Sequence, residues 1–325
     1  MKIAIPDDYQ NVIRSLDCFK LLASQDVLIL NTTEKDPELL AEKLQNAEIL
    51  VLTRERTKIN ESLLSKLPHL KLISQTGKIA AHLDLAACTK HKVAVAEGIG
   101  SPVAPAELTW ILIMNTLRQI PAAIEGMKNG QWQINIGSTV HGKTIGIWGY
   151  GKIGKMIAGY AKAFGASVLV WGSDASRENA VKDGFEKATT KDDFFQNADV
   201  ISLHLRLNDS TTAIVKEADL NKMKASAVLI NTSRAELIEK GALIKCLKNG
   251  RPGFAGIDVY EEEPVYDTTF DWLHMPNVVC TPHLGYVEKE SYELYFGKAF
   301  ENVMSYINGQ PVNIANPQVL PSEQV

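Results

Sequence analysis

A chain of 325 residues, 45% hydrophobic and 22% charged, has enough apolar material for two globular domains and too little charge bias for a disordered one. Its 34 Lys and Arg against 38 Asp and Glu leave a net charge of −4, and no basic block suggests a nucleic-acid partner. Cys18, Cys88, Cys246 and Cys280 lie far apart without a CxxC pair, so neither a metal site nor a disulfide framework is expected. The opening "MKIAIPDD" is too short an apolar run for a signal peptide, and the run near Trp110–Met114 falls far short of a membrane span. A cytoplasmic protein with no membrane or nucleic-acid partner is the expectation.

Short apolar runs alternate with amphipathic stretches almost throughout, the rhythm of βαβ units in an α/β fold with parallel sheets. In the first hundred residues the strand candidates are KIAIP (2–6), DVLIL (26–30), EILVL (48–52), LKLIS (70–74) and VAVAE (93–97). Pro37 after Asp36 marks a helix start between the second and third. Around 101–106 turn residues give way to a helix pattern that runs through Leu117. Its apolar residues cover more than one face, which suits either a core or a surface shared with a second subunit. Six further strand candidates follow: TIGIW (144–148), SVLVW (167–171), DVISLHL (199–205), AVLIN (227–231), AGIDV (255–259) and NVVCTP (277–282). They fit one doubly wound sheet. The stretch 291–310 is helical again and can pack back on the first domain. The Pro- and Asn-rich tail reads as loosely ordered. The domains are therefore expected at 1–100 with 285–325, and at 101–284.

"GIWGYGKIGK" (146–155) contains G-x-G-x-x-G between a strand pattern and a helix pattern, and Gly165 stands where a helix C-cap glycine belongs. In such a unit Gly149 permits the tight turn, Gly151 lets a pyrophosphate approach the backbone and Gly154 brings helix and strand together. The N–H groups around Tyr150, Lys152 and Ile153 would face the anion. The acid that holds the ribose 2′-hydroxyl is expected where the second strand ends, in "VLVWGSDASR". Gly172 occupies that slot and Asp174 comes two residues later. Asp174 reaching the ribose would give NAD, whereas Ser173 with Arg177 would hold the 2′-phosphate of NADP. The reading leans to NAD and does not exclude NADP.

Ligands of open α/β sheets bind beyond the carboxyl ends of the strands. Those ends carry Gly149, Gly172, His204, Thr232-Ser233-Arg234, Asp258 and His283, with Glu261–Glu263 following Asp258. Hydride transfer to a carbonyl leaves charge on oxygen, and a histidine near neutrality is suited to supply the proton. A carboxylate beside it favours imidazolium, and an arginine fork suits a substrate carboxylate.

Taken in order, "GYGKIG", "ISLHLRLNDST" (201–211), "LINTSRAELI" (229–238), "AGIDVYEEEP" (255–264) and "TPHLGY" (281–286) resemble the D-2-hydroxyacid dehydrogenases, phosphoglycerate dehydrogenase-like members above all. The resemblance implies a flavodoxin-like substrate domain built from both termini and a central Rossmann domain, with the helix after the first crossover shared in a homodimer. It implies that Arg234 binds the carboxylate and carbonyl of a 2-oxo acid, that Glu263 pairs with His283, and that His283 is the acid in reduction and the base in oxidation. It further implies that Asp258 holds the nicotinamide carboxamide, that His204 lies near the adenosine, and that Thr211, Thr232, Ser233 and Gly285 border the cofactor. "SQTGKIA" (74–80) matches a loop whose Thr76, Gly77 and Lys78 take the substrate carboxylate. Gly172 and Tyr286 depart from the family pattern, the latter replacing a glycine and narrowing the nicotinamide end. An NAD(H)-sensing corepressor-like regulator on the same fold is the alternative.

Overall fold

The computed structural model describes residues 1–321. The chain divides into two compact units, one formed by Met1–Ser101 together with Glu288 onward, the other by Pro102–Val287. The second boundary lies slightly beyond the 284/285 junction read from the sequence. The loop after His283 is tied to the second unit: the Leu284 and Gly285 N–H groups both donate to Asp258.

The first unit carries a parallel sheet of β1 (Lys2–Ile5), β2 (Asp26–Ile29), β3 (Ile49–Leu52), β4 (Leu72–Gln75) and β5 (Ala94–Ala96), in the order β2-β1-β3-β4-β5. This is the flavodoxin-like doubly wound order. β3 and β4 are buried along their whole length, as strands covered on both faces must be. The helix Pro37–Leu44 starts at Asp36, whose carboxylate accepts from the N–H of Glu38 at 2.8 Å.

The tail is not loose over its described part. Ile314 bridges Ala96, the Ala315 N–H donates to the Val95 carbonyl, and Asn316 is 1% exposed. The Asn316 side chain accepts from Val95 N–H and donates to the Val93 carbonyl. A segment rich in Asn and Pro reads as a loop from composition, yet here its amides complete the hydrogen bonding of the β5 edge. Residues 322–325 of the tail expectation lie outside the described residues.

The second unit holds seven parallel strands: β6 (Thr144–Trp148), β7 (Ser167–Trp171), β8 (Glu186–Lys187), β9 (Val200–Leu203), β10 (Val228–Asn231), β11 (Phe254–Ile257) and β12 (Val278–Cys280). Their order, β12-β11-β10-β9-β6-β7-β8, is that of a Rossmann sheet with its switch point between β6 and β9. The sequence suggests six of these strands. It gives no sign of β8, a two-residue exposed edge strand, Glu-Lys, without an apolar side chain. Along β6 the side chains alternate between two cores. Ile145 and Ile147 pack with Ile157, Ala158 and Ala161 of the helix Lys152–Ala163, whereas Trp148 packs with Phe194 and Phe195 on the other face. Gly165, at φ +73°, ends that helix as expected, with the N–H of Ala166 returned to the carbonyl of Ala161.

Candidate active site

The glycine turn lies at the head of β6. Gly149 has φ +101°, and a Cβ there would come within 2.6 Å of the His204 carbonyl oxygen. A Cβ on Gly154 would come within 2.2 Å of the Gly149 carbonyl oxygen, so the helix Lys152–Ala163 lies against the turn because Gly154 has no side chain. Gly151 is different: nothing lies within 4 Å of where its Cβ would be. The helix begins at Gly151 without any side chain capping its first turn. Open space before an uncapped helix N-terminus is what a pyrophosphate requires, so the residues present fit a dinucleotide. Beneath the turn the Tyr150 hydroxyl donates to Asp183, which also pairs with Lys155 at 2.9 Å.

At the end of β7 the Ser173 hydroxyl accepts from Ser176 N–H and caps the helix Asp174–Lys182. Asp174 is exposed and pairs with Arg177, whose guanidinium lies 4.7 Å from the centre of the Trp171 ring. At the end of β9 the His204 Nε2 bonds the Ser202 hydroxyl at 2.9 Å. His204 Nδ1 is buried without a partner, and burial lowers the His204 pKa to about 4, so the ring is neutral at pH 7. Thr211 bonds within its own loop, its hydroxyl donating to the Arg206 carbonyl.

Beyond β10, Asn231 organises the loop that carries Thr232, Ser233 and Arg234. Its amide donates to the Arg234 carbonyl and its oxygen accepts from Ser233 N–H. Asn231 is 1% exposed and escaped the sequence reading; a polar residue closing the apolar run AVLIN is the signal that could have revealed it. Thr232 is hydrogen-bonded to Thr109, and the Ser233 hydroxyl donates to the Leu203 carbonyl. These bonds fix Arg234 at the head of β10, next to β11 in the sheet.

Asp258 follows β11 and is fully buried. Burial raises its pKa from the ordinary 3.8 against the opposing pull of hydrogen bonds and of His283. Its Oδ1 accepts from the Thr281 hydroxyl and the Leu284 N–H, and its Oδ2 from the Gly285 N–H. Expected at the carboxamide, Asp258 is here engaged in holding the loop that bears His283. His283 itself sits at φ +53°, in the left-handed region that a non-glycine residue occupies only when its surroundings hold it there. Its Nδ1 lies 2.6 Å from Glu263 Oε2, while Glu263 Oε1 accepts from Tyr260 N–H. A carboxylate only accepts, so Nδ1 carries the proton and proton exchange falls to Nε2. The Tyr286 ring stands edge-on to the imidazole, with centroids 5.7 Å apart.

Thr76, Gly77 and Lys78 belong to the first unit. Thr76 is buried; its hydroxyl accepts from Arg54 N–H and donates to the Leu52 carbonyl. Lys78 pairs with Glu97 at 2.7 Å rather than standing alone in solvent. Arg54, which the sequence reading passed over, has φ +53°, and its guanidinium lies over the Tyr295 ring. It runs so close to Gly77 that a Cβ there would lie 1.9 Å from the guanidinium. Its signal was an arginine just after the strand run ILVL.

The family model for the NAD binding domain of D-isomer specific 2-hydroxyacid dehydrogenases matches residues 110–285. The chain belongs to the D-2-hydroxyacid dehydrogenase family. It is 34% identical over 265 residues to D-3-phosphoglycerate dehydrogenase of Bacillus subtilis, covering 81% of this chain and 50% of that one. It is 33% identical to glyoxylate reductase of Thermococcus litoralis, covering 89% of this chain and 91% of the relative. A phosphoglycerate oxidoreductase structure from Vibrio cholerae matches with a TM-score of 0.93 and 52% identity, over 95% of this chain and 99% of that one. The chain spans about half the length of the Bacillus subtilis relative, and the matched family segment runs from within the helix Val103–Arg118 to the loop after His283.

Proposed function

We propose that this chain is an NAD(H)-dependent dehydrogenase that interconverts small 2-oxo acids and D-2-hydroxy acids, phosphoglycerate dehydrogenase-like in type. The observation that carries the proposal is the His283–Glu263 pair at 2.6 Å, set at the heads of β11 and β12 in the sheet that also bears the glycine turn. Gly149, Tyr150, Gly151, Lys152, Ile153 and Gly154 would hold the pyrophosphate. Ser173, Asp174, His204, Thr211, Thr232, Ser233, Asp258 and Gly285 would border the rest of the dinucleotide. When bound, the reduced nicotinamide supplies the hydride.

His283 delivers the proton from Nε2 to the oxygen of the 2-oxo group and takes it back in the oxidative direction. Glu263 keeps the Nδ1 proton in place and so leaves Nε2 to exchange the proton. Arg234 binds the carboxylate and polarises the neighbouring carbonyl, stabilising the charge that gathers on oxygen. Thr76, Gly77 and Lys78 are assigned to binding a substrate carboxylate on the family resemblance. We place the residues Met1–Ser101 with Glu288 onward as the substrate domain and Pro102–Val287 as the NAD-binding domain.

The homodimer remains part of the proposal. Its support is the exposed apolar side chains of the helices Val103–Arg118 and Ile120–Lys128 and of the segment after them, where Ile111 is 51%, Ile124 52%, Met127 67% and Trp132 77% exposed. Apolar side chains gathered in this way mark an association surface. A cytoplasmic location agrees with the four cysteines, all of them free thiols. No helix among the described residues is long and apolar enough to cross a membrane.

The test is NADH oxidation against a panel of 2-oxo acids, with His283→Ala beside the parent protein. Turnover should disappear in the variant while NADH binding persists. Full turnover without His283, or silence of the parent protein across the panel, would overturn the proposal.

A further inference from the structure

Resting on the dehydrogenase reading, a question remains about the adenosine end of the dinucleotide: what replaces the missing acid at position 172. Gly172 has φ +150°, which an L side chain rarely adopts, and a Cβ there would meet the Ser176 side chain at 3.3 Å. Ser176 cannot readily yield, because its hydroxyl accepts from Tyr150 N–H at 2.8 Å and so ties the glycine turn to the β7 loop. A second tie, Gly149 N–H to the Trp171 carbonyl, runs alongside. An aspartate or glutamate at the strand end would therefore be strained, and ribose recognition passes to the next turn of chain. With Ser176 engaged by the glycine turn, that segment offers Ser173, Asp174 and Arg177. Asp174 and Arg177 form an ion pair with very unequal exposure: the Asp174 side chain is 83% exposed and that of Arg177 22%. The guanidinium lies over the Trp171 ring, and its Nε is buried without a hydrogen-bond partner.

The charges at this edge cancel, so a 2′-phosphate meets no uncompensated acid there, unlike in a site where a strand-end carboxylate repels it. We propose that the Asp174–Arg177 pair makes the site accept both dinucleotides. Asp174 accepts from the ribose 2′-hydroxyl of NAD(H). Arg177, released from Asp174 and kept in place by Trp171, binds the 2′-phosphate of NADP(H), with the Ser173 hydroxyl as a further donor. The contact with Trp171 is what makes the exchange inexpensive: the guanidinium does not have to be ordered anew, only to change its anionic partner.

Binding, not turnover, tests this. Titrations of the full chain with NADH, NADPH, 5′-AMP and 2′,5′-ADP would be followed by calorimetry and by tryptophan emission, which Trp171 should report. The two reduced dinucleotides should bind the parent protein within about tenfold of each other, and 2′,5′-ADP should bind more tightly than 5′-AMP. Arg177→Ala should weaken NADPH and 2′,5′-ADP by at least about tenfold and NADH by less than about threefold, and Asp174→Ala should shift the preference the other way. NADPH binding more than about a hundredfold weaker than NADH in the parent protein would overturn the inference and leave the dehydrogenase reading standing. Equal weakening of both dinucleotides in Arg177→Ala would also overturn it, since that is the signature of a collapsed loop. Failure of the parent protein to bind any of the four ligands would overturn both.

Discussion

His204 should make this protein acid-sensitive in a way that one substitution removes. The unfolded chain takes up a proton on this residue near 6.5, whereas burial in the native state lowers the pKa to about 4. A base whose folded pKa is depressed contributes nothing above 6.5. As the pH falls through the window from 6.5 to about 4, the unfolded chain binds a proton that the folded one refuses, and stability is lost. The whole interval corresponds to about 3 kcal/mol at about 1.4 kcal/mol per pH unit. Between pH 7 and pH 5 the loss is about 2 kcal/mol, and the partial exposure of the residue around its buried Nδ1 makes this an upper value. Urea unfolding of the parent protein and of His204→Gln at pH 7 and pH 5, without dinucleotide, isolates this contribution, because the other titrating groups are common to both. The parent should lose about 1–2 kcal/mol more than the variant on acidification. Parallel pH dependences would show that the imidazole is not held neutral by burial.

Gly154→Ala should lower the melting temperature and weaken NADH binding together. The new methyl would meet the backbone oxygen of Gly149, which has no rotamer to yield, at a cost of about 1–3 kcal/mol. Calorimetry and a thermal melt would check it, and unchanged values in both would refute the close approach. Asp258→Asn keeps the shape but replaces one acceptor oxygen with an NH2 group that faces backbone N–H groups, costing about 1–3 kcal/mol. The His283 loop should loosen, so kcat should fall further than NADH affinity does; an equal fall in both would argue against the loop as the cause. Ile124→Glu should abolish dimers in sedimentation velocity without lowering monomer stability, because the side chain is half exposed. A sedimentation coefficient unaltered from the parent protein would remove that face from consideration.

Much of the architecture could be read directly. Buried parallel strands are short apolar runs, and runs such as EILVL and TIGIW are visible without any neighbour. The glycine turn was legible for the same reason: φ +101° at Gly149 and the 2.2 Å approach at Gly154 are demands that only glycine meets. Arg234 and His283 also stood out, just past the apolar runs AVLIN and NVVCTP, whereas the role of Glu263 came from the family resemblance. What periodicity did not carry was everything set by a partner distant in sequence. β8 has no apolar residue and is a strand only because β7 lies beside it. The tail read as loose, and its order comes from Asn316 reaching the backbone of β5, a pairing 221 residues apart in the chain. Nothing in the local pattern gives Arg177 its neighbour, and it is the Trp171 ring that covers it. Local pattern thus determined which segments would be strands, where the backbone must turn and which groups stand at strand ends. The tertiary structure alone decided the partner of each polar group, since hydrogen bonds and ion pairs are satisfied in space and leave no period in the sequence.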